Sequence, residues 1–132
     1  MFTVQIITPE RLLAPIQGEH VTLCTVDGEI GVRTGHLPVV GSLKPSFAMV
    51  RSGGKDQFWA FSEGTAQVTA TGVNVFVERA AAVTDINVAE VEAKLTKLQA
   101  TAAPTDATGK RLRDLDMSWL QAQLAAVVRS KR

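Results

Sequence analysis

A chain of 132 residues that is 45% apolar and 20% charged has the make-up of one ordinary globular core and not of a disordered segment. Fourteen Lys and Arg against thirteen Asp and Glu leave a formal net charge of +1, so no overall field favours nucleic acid or an anionic membrane surface as a partner. The single cysteine, Cys24, excludes an intramolecular disulfide and reads as a small buried apolar residue in a reducing compartment.

The first fourteen residues lack a basic start and a long apolar stretch, and they carry Pro9, Glu10 and Arg11 where a signal peptide would be apolar, so export is not expected. The longest apolar runs, such as residues 124–128, fall far short of the ~20 residues that span a bilayer, and any membrane association is expected to be indirect.

From Phe2 to Val83 the chain reads as short β-rich segments parted by turn residues, the pattern of an antiparallel β-sandwich. The opening strand puts Phe2, Val4 and Ile6 on one face, and Pro9, which has no N–H for a ladder, ends it. Val21 to Val26 runs into the turn Asp27-Gly28. Residues 46–51 and 56–61 flank Ser52-Gly53-Gly54-Lys55 as a hairpin, and Glu63-Gly64 and Thr71-Gly72 mark further reversals. In the last strand Val73, Val75 and Val77 point one way.

After Val83 the apolar period changes from two to about three and a half. Asn87 is placed to cap a helix with Glu90 three residues on, and Ile86 and Val91 hold the staple positions. Val88, Val91, Leu95 and Leu98 form its seam. The stretch from Thr101 to Gly109 predicts a connector. A second helix is expected from about Lys110, with Leu112, Leu115, Trp119, Ala122 and Ala126 on one stripe, widened by Leu120, Leu124 and Val127. The predicted fold is therefore α+β: a sandwich over residues 1–83, then an antiparallel helical hairpin over residues 84–132. Arg129, Lys131 and Arg132 suit the negative end of the last helix.

Candidates for catalysis are few. His20, Thr22 and Cys24 share a strand face and His36 lies further on, but a zinc site takes three or four ligands, and the chain holds two His and one Cys. No serine sits in a Gly-x-Ser-x-Gly elbow, so an acyl-transfer triad with His36 and Asp27 lacks its nucleophile. Gly28, Gly31 and Gly35 precede no helix and no Gly-Lys-Ser/Thr, so a phosphate loop is not indicated. No catalytic residue, metal or cofactor is expected. A small hydrolase or metalloenzyme and a free-standing adaptor or ligand-binding module remain as other classes.

The densest signal is Val26-Asp27-Gly28-Glu29-Ile30-Gly31-Val32-Arg33-Thr34-Gly35-His36-Leu37-Pro38-Val39-Val40, followed by Leu43-Lys44-Pro45. It resembles the epsilon subunit of rotary F-type ATP synthases, which carries a similar acidic-Gly-Glu-aliphatic-Gly-aliphatic-x-x-Gly-His-x-Pro segment. Residues 4–9 are similar to that family's first strand, residues 61–68 to its Ser-Gly-Gly-Phe-x-Glu-Val strand, and the order of sandwich then hairpin agrees over essentially the whole chain.

The resemblance implies a non-catalytic central-stalk protein of a proton-translocating ATP synthase, peripheral on the cytoplasmic face of a bacterial inner membrane. It implies that Asp27, Gly28, Glu29 and Gly31 face the c-subunit ring, and that Thr8, His36, Leu37 and Pro38 lie toward the gamma subunit. It further implies that the helices can extend along gamma and restrain ATP hydrolysis, with Lys94, Lys97, Lys110, Arg111, Arg113 and Trp119 available to the alpha and beta subunits. Two departures stand out. Glu63-Gly64-Thr65 replaces Gly-Gly-Phe. In the motif by which some members bind ATP, Asn87 replaces an acid and Glu90 an arginine, which removes the positive charge a triphosphate needs, so ATP binding is not expected.

Overall fold

The computed structural model describes residues 2–13, 15–35 and 38–131. Nine strands come first: β1 (Phe2–Ile7), β2 (Ile16–Gly18), β3 (His20–Thr25), β4 (Gly28–Arg33), β5 (Val39–Ser52), β6 (Lys55–Phe61), β7 (Gly64–Val68), β8 (Gly72–Val77) and β9 (Ala80–Ala82). A single 3-10 turn at Val83–Asp85 leads into α1 (Val88–Ala100) and α2 (Ala107–Ser130).

The strands form two layers that share β5. One layer runs β2-β1-β8-β7 to the start of β5. The other holds β4 and β3 on one side of the rest of β5, with β6 and then β9 on the other. Residues 39–43 of β5 pair with β7 and residues 46–52 with β6, so the exchange of partners falls at Lys44-Pro45. A proline fits there because its missing N–H would leave a gap in any continuous ladder. Strand β3 accommodates the same bend with a register shift between Leu23 and Thr25.

Alternation decides what lies between the layers. Phe2, Val4 and Ile6 of β1, Val21 and Leu23 of β3, Ala48 and Val50 of β5, Ala66 and Val68 of β7, and the three valines of β8 are all buried in one core, joined by Val32, Leu43 and Phe61. One pairing departs from a purely antiparallel sandwich: β1 runs parallel to β8, from Thr3 beside Gly72 to Ile7 beside Phe76. The two strands stand far apart in the chain, so no hairpin fixes their relative direction. The short strands β2 and β9 were also not foreseen from the sequence. At three residues each they are too brief for alternation to show.

Asn87 caps α1, its Oδ1 accepting from the Glu90 amide at 3.1 Å, and Val91 is the buried residue of that helix. The second helix begins three residues before the expected Lys110. Asp106 is its cap, accepting from the Gly109 amide at 3.0 Å, so Gly109 lies inside the first turn and not in the connector. Leu112, expected on the buried stripe, is 58% exposed, while Leu120, Ala122, Ala126 and Val127 are buried. α2 lies across β5 and β6, and α1 packs on α2.

Gly64, which stands where the Glu-Gly-Thr departure occurs, has a packing role. A Cβ there would overlap the Phe76 carbonyl of the neighbouring strand and crowd a Val77 methyl at 2.7 Å. We expect Gly64→Ala to lower the unfolding free energy by about 1–3 kcal/mol through overpacking. Chemical denaturation checks this, and a midpoint equal to that of the parent chain would show that β8 shifts without cost.

Candidate functional site

Each layer of the sandwich has an outward face, and the two are treated differently. On the β3-β5-β6 layer the outward residues include Thr22, Cys24, Phe47, Met49, Phe58 and Ala60, as the register of Met49 with Thr22 and Phe58 and of Phe47 with Ala60 requires. Ala60 is fully buried and Cys24 is 5% exposed although both point away from the core, because α2 covers this face. Buried Ala122 and Ala126 on the helix have no bulk to hold it off the sheet.

Both ends of α2 are tied to the strands. Near its first half, the Arg79 guanidinium meets Asp116 at 3.0 Å. At its last turn, the Arg129 guanidinium lies 5.0 Å from the centre of the Phe47 ring and 3.9 Å from a Glu29 carboxylate oxygen. Arg113 joins the two helices by donating to the Leu98 carbonyl of α1 at 3.1 Å.

The outward face of the other layer carries no helix. Two rows cross it, residue beside residue. Val40, Gln67, Asn74 and Gln5 make one, and Ser42, Thr65, Phe76 and Ile7 the other. None of these eight side chains ionises. Gln17 and Thr3 continue the surface, hydrogen-bonded to each other at 3.1 Å, and Asn74 donates to Gln67 at 3.4 Å. The polar groups thus pair among themselves, while Val40 at 68% and Phe76 at 43% exposure present apolar area to solvent. Thr8, at the end of β1, bonds back to Arg11 in a tight turn beyond one end of the face, and exposed Pro38 lies beyond the opposite end. His36 and Leu37, the other residues expected toward gamma, lie outside the described residues.

The turn between β3 and β4 stands at the edge of this face, with the Val26 amide donating to Ser42 of β5 at 3.0 Å. Thr25 Oγ1 donates to the Gly28 carbonyl at 2.7 Å and accepts from the Asp27 amide at 3.2 Å, which fixes the turn. Gly28 takes a φ of 125°, a conformation that a side chain would strain. Gly31 serves another purpose: a Cβ there would come within 2.9 Å of the His20 ring. Val26 at the tip is 65% exposed, beside exposed Asp27 and Glu29.

Lys94, Lys97, Lys110 and Arg111 are exposed, whereas Arg113 and Trp119 are half-buried within the hairpin. A cleft of about 530 Å³ opens between the helices, lined by residues that include Asn87, Glu90, Lys94, Lys97, Asp116 and Trp119. Its charged residues are of both signs, with Arg79, Lys94 and Lys97 beside Asp85, Glu90 and Asp116. Among the described residues no three His, Cys, Asp or Glu side chains gather as a metal site, and His20 instead contacts Thr22 at 3.3 Å. Burial, helped by Arg33 and Arg51, pushes the His20 pKa below its usual value, and burial pushes the Cys24 thiol up. Sequence reasoning missed Val26, Ile7, Val40 and Phe76. Alternation marks them as outward, but it does not say which outward face a helix will cover.

Residues 1–83 match the family model described as ATP synthase, Delta/Epsilon chain, beta-sandwich domain. The ATP synthase epsilon chain of Fuscovulum blasticum is 32% identical over 92% of this chain and 92% of its own, and that of Rickettsia bellii is 35% identical over 73% of this chain and 92% of its own. Among solved structures, a chain of the Euglena gracilis mitochondrial ATP synthase OSCP/F1/c-ring assembly matches 96% of this chain and 81% of its own, with a TM-score of 0.77 at 21% identity. A chain from the central stalk and c-ring of the Tetrahymena thermophila mitochondrial enzyme matches 96% of each with a TM-score of 0.64 at 16% identity. The sandwich, the two helices behind it and these relatives agree: the chain belongs to the ATP synthase epsilon family, the non-catalytic stalk subunits of that complex.

Proposed function

We propose that the open, uncharged face of the β1-β8-β7-β5 layer receives the gamma subunit and that the turn at Asp27, Gly28 and Glu29 rests on the c-subunit ring. The division of labour between the two outward faces carries this reading. One face is occupied by the chain's own helix, and the other leaves Val40 and Phe76 exposed beside half-buried Ile7 on a strand platform without charge. Such a surface suits a large, permanent, partly apolar partner better than a small ligand. Thr8 and Pro38 at its two ends match the family positions near gamma, and the exposed Val26 tip gives the ring a contact that is apolar at its centre and acidic at its rim.

On the same reading, residues 1–83 are the coupling unit and residues 84–132 the regulatory one. The chain sits peripherally on the cytoplasmic face of a bacterial inner membrane. No described helix is long and apolar enough to cross a membrane, so the contact runs through the ring. The helices restrain ATP hydrolysis when they leave the sheet and reach the alpha and beta subunits. Lys94, Lys97, Lys110 and Arg111 already face solvent, and Arg113 and Trp119 come free only when the hairpin opens. The interhelical cleft does not take ATP, because Glu90 sets a carboxylate where a triphosphate needs a cation.

Three outcomes are expected. Val40→Lys and Phe76→Lys each weaken capture of the gamma subunit about tenfold or more, since each buries an unpaired ammonium, while leaving thermal unfolding in place. Undiminished capture by both variants, measured by surface binding, would remove gamma from this face. Complexes assembled with the chain ending at Val83 hydrolyse ATP faster than those with the full chain, and equal rates would exclude the inhibitory role. Titration of the full chain with ATP in a calorimeter gives no saturable heat at micromolar concentration, and a micromolar dissociation constant would refute the reading of Glu90.

A further inference from the structure

We propose that Arg129 is a latch that couples the β3–β4 turn to the hairpin, so that a partner engaging Glu29 loosens the last turn of α2 from the sheet. The ring as that partner rests on the reading above; the latch itself does not.

The geometry is specific. Arg129 is the residue of the last helical turn whose side chain reaches two strands at once, with its guanidinium above Phe47 of β5 and beside Glu29 of β4. Glu29 is half-exposed and belongs to the rigid turn held by Thr25, so a neighbour can take up its carboxylate without moving the turn. An ion pair at 3.9 Å between half-exposed groups is weak, and a half-exposed cation over the half-buried Phe47 ring adds only a modest attraction. Weakness is what a releasable latch needs. Near the middle of the helix, Arg79 meets Asp116 at 3.0 Å, away from the turn, so loss of the Arg129 contacts frees the terminal turns first. The other charged groups near this end are Lys44 of β5, which lies near the same buried thiol as Glu29 and Arg129, and the paired Arg51 and Asp56, which line the same surface hollow as Arg129 and Phe47.

Cys24 supplies the reporter. It lies on the strand face beneath this end of α2, 5% exposed and close enough to feel the charges of both Glu29 and Arg129. No other cysteine exists in the chain. Alkylation of its thiol therefore counts openings of the α2 end.

The full chain, its Arg129→Ala, Arg129→Lys and Glu29→Gln variants and the double variant are treated with a maleimide over a pH series, so that rates are compared per thiolate, because Glu29 raises and Arg129 lowers the pKa of this thiol. Far-ultraviolet circular dichroism confirms that the strands persist. We expect Arg129→Ala to react about 3–10-fold faster and Glu29→Gln about twofold faster, with Arg129→Lys between the parent and Arg129→Ala. The double variant should be no faster than Arg129→Ala. An unchanged rate for Arg129→Ala overturns the latch, and independent effects of Arg129 and Glu29 overturn their pairing.

Purified c-ring is then added, with a photo-crosslinker at Asp27 reporting contact. Crosslinking together with acceleration of the parent chain, and no acceleration of Arg129→Ala, supports the coupling. Crosslinking without acceleration overturns the coupling and leaves the ring contact standing. Absence of a crosslink overturns the ring contact and the coupling to it, while the Arg129→Ala rate still decides the latch.

Discussion

The docking of α2 on β5 and β6 is the contact on which the rest of the arrangement depends. A two-layer sandwich has two outward faces, and on this one the outward positions include Phe47, Met49, Phe58 and Ala60. Left open, they would form an apolar patch comparable to the one on the opposite layer. Covering one and not the other gives the molecule a direction: one face is turned to its own helix and the other is open. α1 has its main support on α2, so the whole C-terminal region hangs on this one helix–sheet contact.

The interface is close but lightly anchored. Ala60, Ala122 and Ala126 bring helix and sheet close, yet alanines contribute little apolar area each. The ion pairs at its ends, Arg79 with Asp116 and Arg129 with Glu29, are all half-exposed and individually worth little. The sandwich core offers a contrast, with fifteen residues in one cluster, each no more than 4% exposed. The chain thus holds two tiers of burial, a tightly packed strand core and a lightly anchored helix–sheet contact.

Strand positions were legible because alternation over five or six residues has one physical cause, burial of one side. Phe2, Val4, Ile6 and the valines of β8 are buried as that rule demands. Strands β2 and β9 escaped because three residues cannot show a period, and the parallel pairing of β1 with β8 escaped because side-chain pattern carries no strand direction. The start of α2 was misjudged since Gly109 resembles a connector residue until Asp106 is seen to cap the turn that contains it. Leu112 fell on the predicted stripe yet faces solvent, because α2 outruns the surface available to cover it.

By itself the sequence determined most of the core, the turns, the Asn87 cap of α1 and, through the glycine-rich run from Val26 to Val40, the family. Local rules suffice for these: each follows from residues a few positions apart, or from a motif that can be read in order. Only the tertiary structure decided which outward face is covered, that Val40, Phe76 and Ile7 share one surface, and that Arg129 meets Glu29 across a hundred residues of chain. Those depend on strand order and on where one helix comes to rest, and such choices are set by the summed packing of the whole chain, which no local window of sequence contains.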